Sequence, residues 1–217
     1  MSKAMTTDDL ISTLSGDVVP VSANAVERRV IAGIAMGAGG SLVLMSAWLG
    51  FRSDWAEAML TGAFWMKWAY TISLGVLALA VTAHIARPDA PVLKRIWILA
   101  APVAALALFA GWELATTPLA GWKAMWLGVS WQECSLHVAM LAGPVFAGML
   151  WSLRQLAPTN LVAAGAAAGL ASGAFAATVY CLHCPEVSAT FIITWYSLGI
   201  VAASAFGALV GPKLLRW

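Results

Sequence analysis

The sequence predicts an all-α, polytopic membrane protein: a bundle of six transmembrane helices preceded by a short cytoplasmic N-terminal amphipathic helix. Three observations lead there. Of 217 residues, 61% are hydrophobic and only 10% are charged. A soluble domain carries about 25% charged residues, so lipid rather than water must cover most of this chain. Apolar runs of roughly 20 residues, the length that crosses a bilayer, occur six times. And nine of the twelve Lys and Arg residues fall on one side of a serpentine drawn through those runs.

The chain divides into a tail, residues 1–28, and a transmembrane domain, residues 29–217. The tail is polar and too long for the n-region of a secretory signal. Within it, Thr6-x-x-Asp9 has the spacing of a capping box. Leu10, Ile11, Leu14 and Val18 follow at helical spacing and make one apolar stripe, and Gly16 can end the helix. A helix of about ten residues is marginal alone in water and needs a surface to lie on. That surface is either the membrane and bundle, or a groove in a soluble partner. Asp8, Asp9 and Asp17 favour the partner, because the inner leaflet is anionic.

The six spans are expected over residues 30–50, 65–86, 96–115, 134–153, 161–181 and 190–211. Glu113 makes the third the least regular. Orientation follows from the cationic side chains. Lys3, Arg28, Arg29, Arg87, Lys94, Arg95, Arg154, Lys213 and Arg216 fall on one side; Arg52, Lys67 and Lys123 fall on the other. The rule places both termini in the cytoplasm. Trp48, Trp55, Trp65, Trp68, Trp112, Trp122, Trp126, Trp131 and Trp195 cluster at the outer ends of the spans, as an interfacial aromatic belt does. Gly165, Gly169, Gly173 and Ala177 in the fifth span, and Gly199, Ala203, Gly207 and Gly211 in the sixth, recur every four residues. Such smooth faces predict two antiparallel helices in close contact. Pro144 is a candidate kink in the fourth span. A net charge of +2 points to no direct contact with nucleic acid.

All three cysteines fall at the outer face. Cys134 opens the fourth span, and Cys181 and Cys184 follow the fifth in Cys181-Leu182-His183-Cys184-Pro185-Glu186. His137, His183, Glu133 and Glu186 lie near them in sequence. Several readings are open. Thiolates with the neighbouring imidazoles and carboxylates suit a soft-metal or redox sensor, with Cys134, Cys184, His137, His183 and Glu186 as the candidate metal ligands. Cys181-x-x-Cys184 has a redox spacing, which suits a quinone-linked thiol–disulfide oxidoreductase. Haem on His137 and His183 has no further cue, and a static disulfide suits an oxidising compartment. No acidic or basic residue is expected deep within a span, which speaks against a transporter. No cofactor is expected beyond a transient thiolate-bound metal ion.

Several stretches resemble the NrsF-like family. They are Thr7-Asp8-Asp9-Leu10-Ile11-x-x-Leu14-x-x-Asp17-x-x-Pro20-Val21, Trp131-x-x-Cys134, Leu153-Arg154-x-Leu156-Ala157-Pro158-Thr159, His183-Cys184-Pro185-Glu186, Trp195-Tyr196-x-Leu198-Gly199-Ile200 and Gly211-Pro212-x-Leu214-Leu215-Arg216-Trp217. The likeness runs the length of the chain in order. It implies a six-span, non-enzymatic anti-sigma factor of the bacterial inner membrane, which negatively regulates an extracytoplasmic-function (ECF) sigma factor. By this resemblance the tail holds the cytoplasmic sigma factor, through Asp8, Asp9, Leu10, Ile11, Leu14 and Asp17. Paired periplasmic cysteines take part in sensing; those that match are Cys134 and Cys184, while Cys181, which has no assured counterpart, is a third sensing candidate that could substitute for Cys184 or pair with it.

Overall fold

The structure, a computed structural model, describes residues 6–16, 24–86, 92–156 and 158–216. Asp17, Val18, Lys3, Arg87 and Asp89 lie outside the described residues, so the part expected of them is not visible. The described residues form helices and connecting turns, with six helical segments long and apolar enough to cross a membrane. In chain order they are α1 (Thr7–Gly16), α2 (Ala25–Trp48), the single turn α3 (Trp55–Ala58), α4 (Gly62–Ile85), a 3₁₀ segment (Val92–Leu99) leading into α5 (Ala100–Thr116), α6 (Leu119–Leu127), α7 (Trp131–Arg154), α8 (Leu161–Tyr180), the turn α9 (Ala189–Phe191), a π-helical turn (Ile192–Tyr196) and α10 (Ser197–Leu214). The spans agree with the expected ones to within a few residues at most ends.

Several ends have a local cause. The Thr61 hydroxyl accepts from Phe64 N–H at the start of α4, and the Asn160 side chain accepts from Ala163 N–H at the start of α8. These caps satisfy N–H groups that have no partner within the helix. Pro102 stands in the first turn of α5, where its missing N–H leaves no bond unmade. The capping box of α1 is present in both directions. The Asp9 N–H donates to Thr6 Oγ1 at 3.3 Å, and Thr6 N–H donates back to Asp9 Oδ2 at 3.3 Å. The described part of α1 runs to Gly16.

α8 is the central helix and packs on α4, α7, α10 and α2. It can do so because its buried residues, Ser172 and Tyr180 apart, are alanine and glycine. The predicted antiparallel pair is found. A Cβ on Gly165 would collide with the carbonyl of Gly207, one on Gly169 with that of Ala203, and one on Gly173 would lie 2.9 Å from the Ile200 Cα. Backbones this close gain dispersion contact along the whole crossing, the main attraction between helices in lipid. A second close crossing was not anticipated. Gly33 and Gly37 of α2 fit against Gly148 and Val145 of α7, with the Pro144 carbonyl 2.8 Å from where a Gly37 Cβ would be. Gly33-x-x-x-Gly37 carries the same spacing signal as α8 and was legible.

Two elements depart from the expectation. The stretch between the third and fourth spans, expected as a loop, holds α6, a nine-residue helix with no buried side chain. It reads as a loop because Lys123 alone interrupts its apolar sequence, so no helical period shows. The sixth span begins with a π-helical turn, whose carbonyls are displaced from the usual ladder. The Trp195 carbonyl in that turn accepts a hydrogen bond from the Ser135 hydroxyl of α7 at 2.7 Å.

Candidate functional site

The ends of α2 and α8, the starts of α4 and α7, and the π turn meet at one end of the bundle. The segment 181–188 lies across them. The Leu182 carbonyl accepts from Arg52 N–H at 3.1 Å. The Cys184 carbonyl accepts from Lys67 Nζ at 2.6 Å, and that of Glu186 from the same nitrogen at 3.1 Å. The Glu186 carboxylate accepts from Val129 N–H at 2.7 Å and from Ser130 N–H at 3.1 Å. One carboxylate and one ammonium therefore fasten the segment to both α7 and α4. From the other side, the Glu113 carboxylate of α5 accepts from Thr190 N–H at 3.0 Å and from the Ser188 hydroxyl at 2.9 Å. Glu113, the irregularity of the third span, thus caps the start of the sixth.

All three thiols are fully buried in this cluster and unbonded to one another. Cys134 and Cys184 are brought together, their thiols side by side. Ser130 Oγ lies 3.9 Å from the Cys184 sulfur. The adjacent Cys134 thiol, then the Lys67 ammonium, hold the Cys184 thiol below its ordinary range against the opposing effect of burial. Cys181 sits deeper, beside Thr71 and Tyr196, and burial pushes its thiol up to about 12. Two cysteines three residues apart thus have opposite character: one is poised to be an anion, the other is kept neutral. At the rim, the Arg52 guanidinium grips the Asp54 carboxylate with two hydrogen bonds, at 2.7 and 2.6 Å, and holds that acid down to about 2.

The other expected ligands point elsewhere. His183 Nδ1 lies 3.0 Å from the Gly50 carbonyl, and Glu186 is spent on the 129–130 backbone. His137 lies half-buried, edge-on to Trp48 with ring centroids 5.3 Å apart and 6.5 Å from the His183 ring. Among the described residues, no group of three or more His, Cys, Asp or Glu side chains is placed to hold a metal ion. The five candidate ligands do not converge on one point, because backbone groups claim His183 and Glu186. Sequence reasoning missed Lys67 and Tyr196. Lys67 was counted as an outer-face charge, whereas it lies fully buried inside α4. A lysine between two tryptophans at the start of a span reads as an interfacial anchor, and no sequence signal separates the two.

The tail residues lie apart from this cluster. Asp8, Asp9, Leu10, Ile11 and Leu14 are all exposed on α1, which buries none of its side chains. The chain then enters α2 at the end of the bundle opposite the thiols.

Fold and site together define a polytopic membrane protein with a thiol cluster under one end and a free-standing capped helix leading in at the other. The family model described as NrsF, negative regulator of sigma F, matches residues 14–217. A probable anti-sigma-F factor NrsF of Azospira oryzae is 40% identical over 216 residues, covering 98% of this chain and 100% of the relative. The anti-sigma-F factor NrsF of Caulobacter vibrioides is 39% identical over 215 residues, with 98% and 100% covered. The chain belongs to the NrsF family, whose members are regulatory rather than enzymatic. No solved structure matches it.

Proposed function

We propose that this protein is an inner-membrane anti-sigma factor that sequesters an ECF sigma factor through its N-terminal tail. It releases that factor when the periplasmic thiols meet a metal or an oxidant. The observation that carries the reading is α1. A helix with a reciprocal cap carries an apolar stripe that is not buried against the bundle: Leu14 is 64% exposed and Ile11 59%. Family membership supplies the kind of partner, and the positive-inside rule supplies the side of the membrane.

The energy scale suits a switch. Reversing a 1:99 equilibrium takes about 5.5 kcal/mol of differential binding. Thiolate-rich metal sites contribute on the order of 10 kcal/mol, whereas an exposed ion pair contributes about 1 kcal/mol or less. Of the groups at the outer end, the thiols are the ones whose chemistry reaches that scale. The test is co-purification from membranes. The wild-type protein brings down a sigma factor, and Leu14→Asp inserts normally but brings down none, since burying the new carboxylate unpaired costs several kcal/mol. Capture by Leu14→Asp at wild-type level assigns the stripe to the membrane surface and ends the proposal.

A further inference from the structure

The buried ammonium of Lys67 has no carboxylate within ion-pair distance; the one carboxylate ion pair among the described residues is Arg52 with Asp54. Arg52 reaches the same segment, its Nη1 lying 3.4 Å from the Cys184 carbonyl, but its charge is already matched by Asp54. Lys67 has three N–H donors, of which the carbonyls of Cys184 and Glu186 take two. Burying an ammonium without a counter-charge is costly enough that such groups are paired or neutralised. The groups around it that can carry negative charge are the thiols of Cys181 and Cys184 and, acting less strongly, the Glu186 carboxylate, whose oxygen is already held by the Val129 and Ser130 N–H groups. A second group points to the same place. The Tyr196 hydroxyl is fully buried, makes no hydrogen bond among the described residues, and lies in the neighbourhood of both sulfurs.

We infer that Lys67 and Tyr196 are positioning residues that hold the Cys184 sulfur as an anion and make it the atom that meets an incoming soft electrophile. Cys134 lies on the other side of that sulfur as its protonated neighbour, and Cys181 stays inert. The inference deepens the proposed function by naming which sulfur reacts and what prepares it. It rests on that reading only for its biological meaning. The π turn is what delivers Tyr196. It is tied to α7 through Ser135 next to Cys134, so both sides of the reacting sulfur are set by one hydrogen-bonded junction.

The test uses the full-length protein in lipid nanodiscs and methyl methanethiosulfonate, a small uncharged reagent. The thiolate sulfur attacks the reagent's sulfenyl sulfur, a new S–S bond forms, the old S–S bond breaks, and methanesulfinate leaves with the electron pair. Mass spectrometry of the peptides gives a rate for each cysteine. In the wild type, Cys184 is modified first. Lys67→Gln keeps N–H donors for the two carbonyls but carries no charge; its Cys184 rate falls roughly tenfold or more, because the thiolate and not the thiol is the nucleophile. Lys67→Arg restores the rate to within a few-fold, and Tyr196→Phe lowers it a few-fold. A structural role alone would not produce recovery with arginine at equal thermal stability. An unchanged Cys184 rate in folded Lys67→Gln, or Cys134 reacting first in the wild type, overturns the inference. Should Lys67→Gln fail to fold, Tyr196→Phe decides: its unchanged rate overturns the inference and its slower rate upholds it. Because no sigma factor is needed, cells that ignore the thiols while this rate pattern holds would refute the sensor and leave the role of Lys67 intact.

Discussion

Gly128 shows how much at this site depends on a single residue. Its φ is +55°, and a Cβ there would lie 2.5 Å from a carboxylate oxygen of Glu186. Both the left-handed backbone and the close approach require glycine. Gly128→Ala is expected to loosen Glu186 from Val129 and Ser130 and to cost about 1–3 kcal/mol, seen as a lower melting temperature in detergent. The cysteines separate by the same local logic. Under the sensor reading, Cys134→Ser and Cys184→Ser insert normally, still repress, and no longer respond to thiol-reactive metal or oxidant. Cys181→Ser changes the response less, because burial already holds that thiol neutral. Induction in the three mutants, with membrane abundance as the control, checks this, and a full response from the Cys134→Ser, Cys184→Ser double mutant sinks the sensor. That Cys134 could approach the 181–184 segment was legible from sequence because matching helix ends fall at one depth, whereas the choice of Cys184 over Cys181 as its neighbour came from the family resemblance. Lys67 and Tyr196 were not legible, since their roles depend on which way buried side chains face in three dimensions.

At the scale of the element, glycine spacing was the most legible signal in the chain, and the structure turns it into a graded expectation. Gly169→Leu must drive a side chain into the Ala203 carbonyl. It is expected to cost at least about 1–3 kcal/mol and to lower inserted protein. Gly143→Ala, in α7, meets nothing within 4 Å. It is expected to be neutral or slightly stabilising, by up to about 1 kcal/mol, since alanine favours the helix. Thermal melts of the two variants side by side separate packing from propensity; equal losses would show that the α8–α10 contact is not the tight one. The π turn left no trace in sequence. Its register is set by tertiary contacts, the Ser135 hydroxyl on the Trp195 carbonyl and the Glu113 carboxylate on the Thr190 N–H, and not by any local preference of Ile192–Tyr196.

Across the whole molecule, α2 is the element that touches both ends. Beyond its C-terminus, the Gly50 carbonyl meets His183; near its N-terminus, the Arg29 carbonyl accepts from the Ser152 hydroxyl of α7 at 2.7 Å, just past the chain that leads from α1. α2 therefore joins the end that holds the 181–188 segment to the opposite end of the bundle. The arrangement matters only if the two ends face opposite compartments. An enzyme reporter active outside the cytoplasm is expected to work when fused within the 116–131 segment and to fail when fused at Lys3 or after Trp217. An active reporter at either terminus would place the tail on the wrong side for any sigma factor.

Trp195 lies tilted against Trp131 and Trp126, with ring centroids 5.3 and 5.7 Å apart, and its indole N–H donates to the Trp126 carbonyl at 2.8 Å. The next residue is Tyr196, whose hydroxyl lies in the neighbourhood of the thiols. This trio is a built-in optical probe: electronically coupled indoles whose ultraviolet circular dichroism depends on their mutual angle. A change in the π turn of a few degrees becomes a spectral change, readable in unlabelled protein on the timescale of mixing. The chain carries twelve tryptophans, so the signal is best taken as a difference spectrum against Trp195→Phe. In that spectrum, the arrival of an electrophile at a sulfur that solvent cannot see would be recorded as light.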